Sequence, residues 1–391
     1  MTQTNSRRLS LGVLGAGAAA QWYYMPAARA WSGSIVLKAI CDLDLQRARH
    51  FASKYDIPNV YGSYEEMLRD ADIDAVAVLT PHALHAEQVL IALEHGKHVL
   101  VEKPMASTLA EARRICDLAD SKGLYVSCAP PNMLHPGQKR LMQLVAAGAI
   151  GKICLVRNTR SSMGPGSRPG APTDFSWFYQ KGAGGMSSMA GYGLIQMTAV
   201  VGPVKSLSAM SCTSMPERVI RDGPAKGKRV EADVPDNNVM VFDFGDDTLG
   251  TMDTGYVMMA SESPSMELFG TEGVLSVWGG DQVLRLRLYK DDWNTNVAGW
   301  QNVDISGLDS AWAHHASTLL SLADAVLEGK PLVNDPRHMV HVIEIIEKTW
   351  VASESRRAVD LSTTFRVPSW EELPDASTGP FALEFHSVGR R

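Results

Sequence analysis

The chain has 391 residues, 45% of them hydrophobic and 20% charged, and its 37 basic and 43 acidic side chains leave a net charge of −6. That composition excludes a disordered or collagen-like chain, and the mild acidity argues against a non-specific nucleic-acid binder. The length predicts two or three domains of about 150 residues each. Cys41, Cys116, Cys128, Cys154 and Cys212 are scattered and form no C-x-x-C pair. Reduced thiols in a cytoplasmic protein are expected, not a disulfide framework or a zinc site.

Residues 9–14 read as a buried strand. The uncharged stretch 9–28 follows Arg7-Arg8 and so has the outline of a twin-arginine export signal. The strand reading is preferred, because removing the segment would remove the first strand. Gly15-Ala16-Gly17-Ala18-Ala19-Ala20 then forms a G-x-G-x-x-A turn. The first glycine permits the tight turn, the second lets the backbone approach a pyrophosphate, and the small third residue lets the helix pack on the strand. Gly15, Gly17, Ala18 and Ala19 are expected at the cofactor. A second apolar run, 35–41, ends at Asp42, 22 residues past Ala20. A carboxylate there accepts hydrogen bonds from ribose hydroxyls and repels a 2′-phosphate, which favours NAD over NADP. Arg47 and Arg49 keep NADP open.

The alternation continues with helices at 44–55 and 64–70, a strand at 75–79, a helix at 85–96, a strand at 98–101, a helix at 108–122 and a strand at 125–128. Strands alternating with helices predict an open parallel sheet. Ligands of such sheets sit at the carboxyl ends of the strands. Thr80-Pro81-His82 and Glu102-Lys103-Pro104 fall at two of those ends. Gly182 to Val204 is uncharged but too broken by glycine, proline and polar residues for a transmembrane helix.

The glycine turn, Asp42, Thr80-Pro81-His82-Ala83-Leu84-His85 and Gly96-Lys97-His98-Val99-Leu100-Val101-Glu102-Lys103-Pro104 together resemble the glucose–fructose oxidoreductase / inositol 2-dehydrogenase (Gfo/Idh/MocA) family. The resemblance resumes at Ala149-Ile150-Gly151-Lys152, Gly184-Gly185-Met186, Gly202-Pro203-Val204 and Leu268-Phe269-Gly270-Thr271-Glu272-Gly273, so it covers nearly the whole chain. It implies an α/β protein. An N-terminal Rossmann NAD-binding domain would span 1–128. A C-terminal α+β domain over 129–391, with a large, mostly antiparallel open sheet, would serve substrate binding and oligomerisation. It also implies NAD as cofactor, held by Thr80, Pro81, His82, His85, Glu102 and Lys103 besides the glycine turn and Asp42. Lys103 matches the family lysine at the reacting hydroxyl, where an ammonium can stabilise a developing alkoxide or relay its proton.

The chain is an atypical member in one segment. Many members follow the glycine loop with Asp-x-Gly-x-His, where the His, or a Tyr replacing it, is the acid/base. Here the segment is Gly184-Gly185-Met186-Ser187-Ser188-Met189-Ala190-Gly191-Tyr192. The register that keeps the flanking glycines in place puts Ser188 at the Asp and Tyr192 at the His. A phenol of ordinary pKa about 10 then needs a neighbouring cation such as Lys103. A register shifted by one places Met189 and Gly193 there and leaves no acid/base. His135 is one candidate relay if the missing carboxylate matters and His82 is another, and Asn132 in the same segment as His135 is expected at the substrate. Ser188, Arg160, Arg168 and Trp177 are the other substrate-binding candidates: the arginines suit an anionic substituent and Trp177 a sugar face. His338 and His341 lie at helical spacing, but a metal site is not expected.

From residue 153 onward strands dominate, with a hairpin turn at Gly245-Asp246-Asp247-Thr248. A sheet with one free face predicts a homodimer or homotetramer. Residues 361–391 read as an extended tail. The expected partner is a small carbohydrate, with no nucleic acid and no membrane. The leading expectation is an NAD-dependent oxidation of a secondary hydroxyl on a sugar, glycoside or cyclitol. The alternative is an NAD-dependent glycoside hydrolase that oxidises C3 transiently, eliminates the aglycone, adds water and reduces the ketone again, on an acidic or sulfonated sugar in one version.

Overall fold

The computed structural model describes residues 7–69, 72–167, 173–279, 285–292, 297–305 and 316–373. The chain divides into two compact units, Met1–Pro131 with His314–Val340 and Asn132–Ala313 with His341–Arg391. The division drawn from the sequence after residue 128 thus moves to Pro131, and one late helix returns to the first unit.

That unit holds six parallel strands: β1 (Leu9–Leu14), β2 (Ile35–Cys41), β3 (Asn59–Tyr61), β4 (Ala75–Val78), β5 (His98–Val101) and β6 (Val126–Cys128). Their order is β3-β2-β1-β4-β5-β6, the dinucleotide-binding arrangement whose order reverses beside β1. β4 and most of β1 and β5 are buried, as expected of strands covered on both faces by crossover helices. The helices are α1 (Met25–Ala30), α2 (Leu45–Tyr55), α3 (Tyr64–Leu68), α4 (His85–Glu94) and α5 (Leu109–Lys122). Local signals set their ends. The Asp44 carboxylate caps α2 by accepting from the Gln46 and Arg47 N–H groups. Thr108 and Glu111 form a capping box on α5, and Gly123, at φ 64°, stops it.

The second unit begins with α6 (Pro136–Ala146) and builds a nine-stranded sheet from β7 (Ile153–Ser161), β8 (Ser206–Cys212), β11 (Asn237–Gly245), β12 (Thr248–Gly255), β13 (Met266–Gly270), β14 (Val274–Trp278), β15 (Arg285–Asp292), β16 (Val297–Val303) and β17 (Val359–Asp360). β9 (Glu217–Val219) and β10 (Arg229–Glu231) form a separate hairpin. Every pair in the large sheet is antiparallel except β7 with β12. Asp246 and Asp247, at φ 51° and 58°, make the β11–β12 turn, the left-handed pair that a tight hairpin requires. On the inner face Met240, Phe242, Leu207, Met252, Val156 and Leu268 are buried. On the outer face Met210, Val239, Val241 and Leu249 are exposed, and pairing of Met210 with Val239 and of Leu249 with Asp243 places them in one patch.

α7 (Gly191–Val201) packs on β7. Gly193 makes that approach possible: a Cβ there would lie 2.7 Å from Arg160 Cγ, 2.8 Å from Met252 Cε and against Asn158 Oδ1. Gly193→Ala is therefore expected to lower the stability of the second unit by about 1–3 kcal/mol through overpacking. Chemical denaturation would read this, and an unchanged midpoint would contradict it.

The last two helices are α8 (Ser317–Glu328) and α9 (Pro336–Ser355). α8 belongs to the first unit. Ser127 Oγ donates to the Thr318 carbonyl at 3.0 Å, and α8 packs on β6, β5 and β1 with Leu319 and Leu322 in the buried core. The segment read as a tail begins with bonded residues: Ser362 and Thr363 donate to the buried Glu344 carboxylate from both backbone and hydroxyl. Residues 374–391 lie outside the described residues. Among the described residues, no helix is long and apolar enough to cross a membrane.

Candidate active site

In the first unit the predicted motifs converge on the carboxyl ends of the parallel strands. Gly15 leaves β1 at φ +99°, and a side chain there would collide with the Leu79 backbone. Its N–H donates to the Cys41 carbonyl at 2.9 Å, which ties the turn to the end of β2. Around Gly17 nothing lies within 4 Å of where a Cβ would stand. Gly17, Ala18 and Ala19 are partly exposed, whereas Gly15, Ala16 and Ala20 are buried. The turn thus presents its backbone on one side only, as close approach of a pyrophosphate requires. Ala20–Tyr24 then forms a π-helical turn before α1, a local widening frequent at functional sites.

Asp42 comes directly after β2 and is 8% exposed. Its Oδ2 accepts the Ala16 N–H at 2.7 Å, and its Oδ1 accepts the Asp44 N–H at 2.8 Å and Arg47 Nη2 at 2.7 Å. Burial alone would raise its pKa. Arg47 and the two backbone N–H groups outweigh burial and hold the carboxyl below its ordinary value. A carboxylate ready for ribose hydroxyls, beside an open glycine turn, fits a dinucleotide. Its neighbour Arg47 is one of the two arginines that keep NADP open.

Thr80, Pro81 and His82 lie beyond β4, and Glu102, Lys103 and Pro104 beyond β5; the Lys103–Pro104 peptide is cis. Lys103 is partly exposed, while Glu102 and Pro104 on either side of it are buried. Glu102 Oε2 accepts the Lys103 N–H at 3.0 Å, and Oε1 accepts the Tyr24 hydroxyl at 2.9 Å. Burial and then the Glu102 carboxylate push the Tyr24 phenol well above its ordinary pKa, so it stays a donor. Nothing in the sequence marks Tyr24: it is one aromatic residue in an apolar helix.

His82 is buried, with its ring centroid 5.7 Å from that of His85. Burial first and the nearby Lys103 ammonium second push it well below the ordinary histidine value, so it is neutral at pH 7. His85 was expected at the cofactor and is fully buried instead. Its Nδ1 lies 2.7 Å from the Pro104 carbonyl oxygen and its Nε2 2.7 Å from the Thr80 carbonyl oxygen. Burial pulls its pKa down, against the two carbonyls and the Glu102 carboxylate. Both ring nitrogens face backbone carbonyls; the neutral ring has one N–H and donates to one of them, while an imidazolium would donate to both. The Thr80 hydroxyl donates to Gln88 Oε1.

In the second unit Ser188 lies in a π-helical turn, Met186–Ala190, directly before α7. Ser188 is buried, and Tyr192, in the first turn of α7, is partly exposed. Gly193 faces the sheet. α7 thus carries a partly exposed phenol and a close-packed glycine side by side.

His135 caps α6. Its Nδ1 accepts the Gly137 N–H at 3.0 Å, which leaves the proton on Nε2. Burial pushes its pKa down to about 4. At neutral pH it is thus a neutral ring that offers a donor. Asn132 is also buried. Arg160 points inward from β7. Its Nη2 donates to Gln196 Oε1 of α7 at 2.5 Å and its Nη1 to the Thr159 carbonyl at 3.1 Å. Arg157, on the opposite face of the strand, is exposed and lies over the Phe269 ring. Trp177 packs against Phe178 with the rings tilted by 32° and their centroids 3.9 Å apart, and lines an open cavity of about 410 Å³ with Gln180, Lys228 and Glu231. Tyr179 joins a small apolar core with Ile220, Val230 and Tyr256. Arg168 lies outside the described residues.

His341 is tied into the second unit. Its Nε2 accepts the Val204 N–H at 3.0 Å, and its Nδ1 lies 2.9 Å from Thr363 Oγ1, whose hydroxyl serves Glu344. Burial lowers its pKa to about 4 from an ordinary 6.5. His135 shares that shift. The unfolded chain therefore takes up these protons first, and the second unit loses stability as pH falls from about 6.5 towards 4. The loss is on the order of 3 kcal/mol per histidine. Urea denaturation at pH 7.5 and at pH 5, chosen as about one unit outside and inside that window, would show it. Equal midpoints would contradict it.

Two family models match the chain. Residues 9–129 match the model described as "Oxidoreductase family, NAD-binding Rossmann fold", and residues 139–276 match "GFO/IDH/MocA C-terminal domain". A bovine trans-1,2-dihydrobenzene-1,2-diol dehydrogenase is 40% identical over 119 residues, which are 30% of this chain and 36% of that protein. The chain thus spans about a third of that relative's length. A levoglucosan dehydrogenase of Pseudarthrobacter phenanthrenivorans is 26% identical over 290 residues, 68% of this chain and 73% of that protein. Among solved structures, an NAD binding oxidoreductase from Klebsiella pneumoniae superposes with a TM-score of 0.78 at 21% identity, covering 91% of this chain and all of that one. A levoglucosan dehydrogenase in complex with NADH and L-sorbose gives 0.77 at 21% identity, over 93% of this chain and 100% of that one. At such identities these likenesses show the fold.

Proposed function

Since the chain belongs to the Gfo/Idh/MocA family of oxidoreductases and carries its NAD-binding Rossmann domain, we propose that it is an NAD-dependent dehydrogenase of a secondary ring hydroxyl on a sugar, glycoside or cyclitol. The observation that carries this reading is Lys103. It is partly exposed at the carboxyl end of β5, on the strand edge that also bears the open glycine turn and Asp42. The names of the relatives, a dihydrobenzene-diol dehydrogenase and a levoglucosan dehydrogenase, support a ring hydroxyl as the group oxidised.

NAD, when bound, supplies the hydride acceptor. Gly15, Gly17, Ala18 and Ala19 hold its phosphates and Asp42 its ribose. The Lys103 ammonium stabilises the developing alkoxide, and Tyr192, once ionised to its phenolate, takes the hydroxyl proton as general base and becomes the phenol. Asn132, Ser188 and Trp177 are proposed to contact the substrate. The His135 Nε2–H makes that residue a donor in this scheme rather than a relay. Arg160 supports α7 through Gln196. We assign the exposed patch of Met210, Val239, Val241 and Leu249 to a homo-oligomer. Sedimentation of the purified protein as a dimer or tetramer is expected, and a monomer at micromolar concentration would contradict it.

The deciding experiment is proton NMR in heavy water, with NAD and a panel of glycosides, free sugars, cyclitols and vicinal diols. A keto product with stoichiometric NADH supports net oxidation. A cleaved sugar with deuterium at C2 and no net NADH would replace it with the redox-neutral hydrolase. No conversion of any member would overturn both.

A further inference from the structure

The geometry points to Tyr24 and His85 as positioning residues that clamp Lys103 from both sides, an assignment that rests on the role proposed for Lys103 above. Lys103 sits in the turn that leaves β5. On its N-terminal side, the buried Glu102 carboxylate accepts the Lys103 N–H at 3.0 Å with one oxygen and the Tyr24 hydroxyl at 2.9 Å with the other. On its C-terminal side, the Pro104 carbonyl faces His85 Nδ1 at 2.7 Å, and Nε2 of the same ring faces the Thr80 carbonyl at 2.7 Å. Thr80 lies just past β4, which pairs with β5. With its proton on Nδ1 the neutral ring donates to the Pro104 carbonyl and holds the turn after β5; only the imidazolium would bond both carbonyls.

Neither side chain offers an atom to a ligand by this route. Tyr24 and His85 are 1% and 0% exposed. The phenol proton goes to Glu102, and both imidazole nitrogens face backbone carbonyls. Glu102, Lys103 and His82 are the charged and titratable groups around the ring. What the two residues can do is fix the backbone from which Lys103 reaches. A lysine ammonium ends a flexible four-carbon stem with about 2 kcal/mol of rotamer entropy, so its placement depends on a rigid Cα. A displacement of about 1 Å at a reacting group can lower a rate by about 10²-fold.

The test uses the full-length protein saturated with NADH. The variants are His85→Phe, His85→Gln and Tyr24→Phe; the last keeps the ring and should fold even if the first does not. Trinitrobenzenesulfonate labels lysines, and peptide mass spectrometry compares the labelling rate of Lys103 with that of Lys97 and Lys122. Loosening the clamp is expected to raise the Lys103 rate at least about threefold relative to both, while NADH affinity stays within about twofold. On any substrate found in the NMR panel, kcat should fall about 10- to 100-fold with KM little changed. An unchanged labelling ratio would overturn the clamp. So would a parallel loss of NADH affinity, which would make these residues cofactor ligands. Failure of the dehydrogenase reading would show differently, as turnover retained in Lys103→Met, and leaves the labelling ratio to decide the clamp by itself.

Discussion

Lys103→Met should lower kcat by about a thousandfold, in the range that loss of a charge-stabilising or proton-transfer group produces. NADH binding, read by fluorescence, should change little. Methionine keeps the length and apolar body of the stem and removes only the ammonium. The backbone contacts of Lys103, to Glu102 through its own N–H and to His85 through Pro104, do not involve the ammonium, so the turn should survive. Lys103→Arg separates the two services of the residue. A guanidinium still stabilises an alkoxide but does not give up a proton in the accessible range. Partial activity in Lys103→Arg would make charge stabilisation the larger part. Activity as low as that of Lys103→Met would make proton relay or the compact ammonium geometry the larger part. Turnover unchanged in Lys103→Met would remove Lys103 from the mechanism.

The parts of this site that were legible in the sequence are those written in contiguous residues. β4 and β5 sit in the middle of a parallel sheet, so both faces are apolar and the runs Ala75–Val78 and His98–Val101 stand out. Thr80-Pro81 and Glu102-Lys103-Pro104, at the carboxyl ends of those runs, are then placed without further information. Pairings between distant residues leave no such mark. Tyr24 lies 78 residues from Glu102, and His85 lies 19 from Pro104. The charge of Arg160 suits an anionic substituent, and its residue type alone does not show which way it points. β7 in fact runs on to Ser161, and strand alternation turns Val156, Asn158 and Arg160 inward and Arg157 outward. The hairpin of Glu217–Val219 with Arg229–Glu231 is too short and too charged to show as strands, and Val297–Val303 carries an internal glycine. Neither stands out in the sequence. No local feature of the late helix Ser317–Glu328 tells that it belongs to the first unit.

Cofactor choice should rest on the opposition between Asp42 and Arg47. The carboxylate already accepts three hydrogen bonds, from the Ala16 and Asp44 N–H groups and from Arg47. An ionised carboxylate offers about four acceptor sites, so a ribose diol must share them with Arg47. Arg47 is 46% exposed at its side chain and can swing into solvent. NAD then gains a nearly buried carboxylate as acceptor. NADP meets that same charge with its 2′-phosphate, and like charges in contact cost several kcal/mol. The native protein should therefore bind NADH about 100-fold more tightly than NADPH. Asp42→Asn keeps an oxygen for the Ala16 N–H and removes the charge. It also releases the Arg47 guanidinium, which suits a phosphate. The NADPH-to-NADH affinity ratio should rise about 10- to 100-fold in Asp42→Asn, and the gain should weaken with added salt. Adding Arg47→Ala should cancel most of it while leaving NADH binding nearly unchanged. Fluorescence titration with the two reduced cofactors measures all of these affinities. A native protein that binds both equally, with a ratio unmoved in Asp42→Asn, would show that the ribose is recognised elsewhere. The hydrogen bonds of Asp42 to Ala16 and Asp44 would then serve only to join the glycine turn to the end of β2.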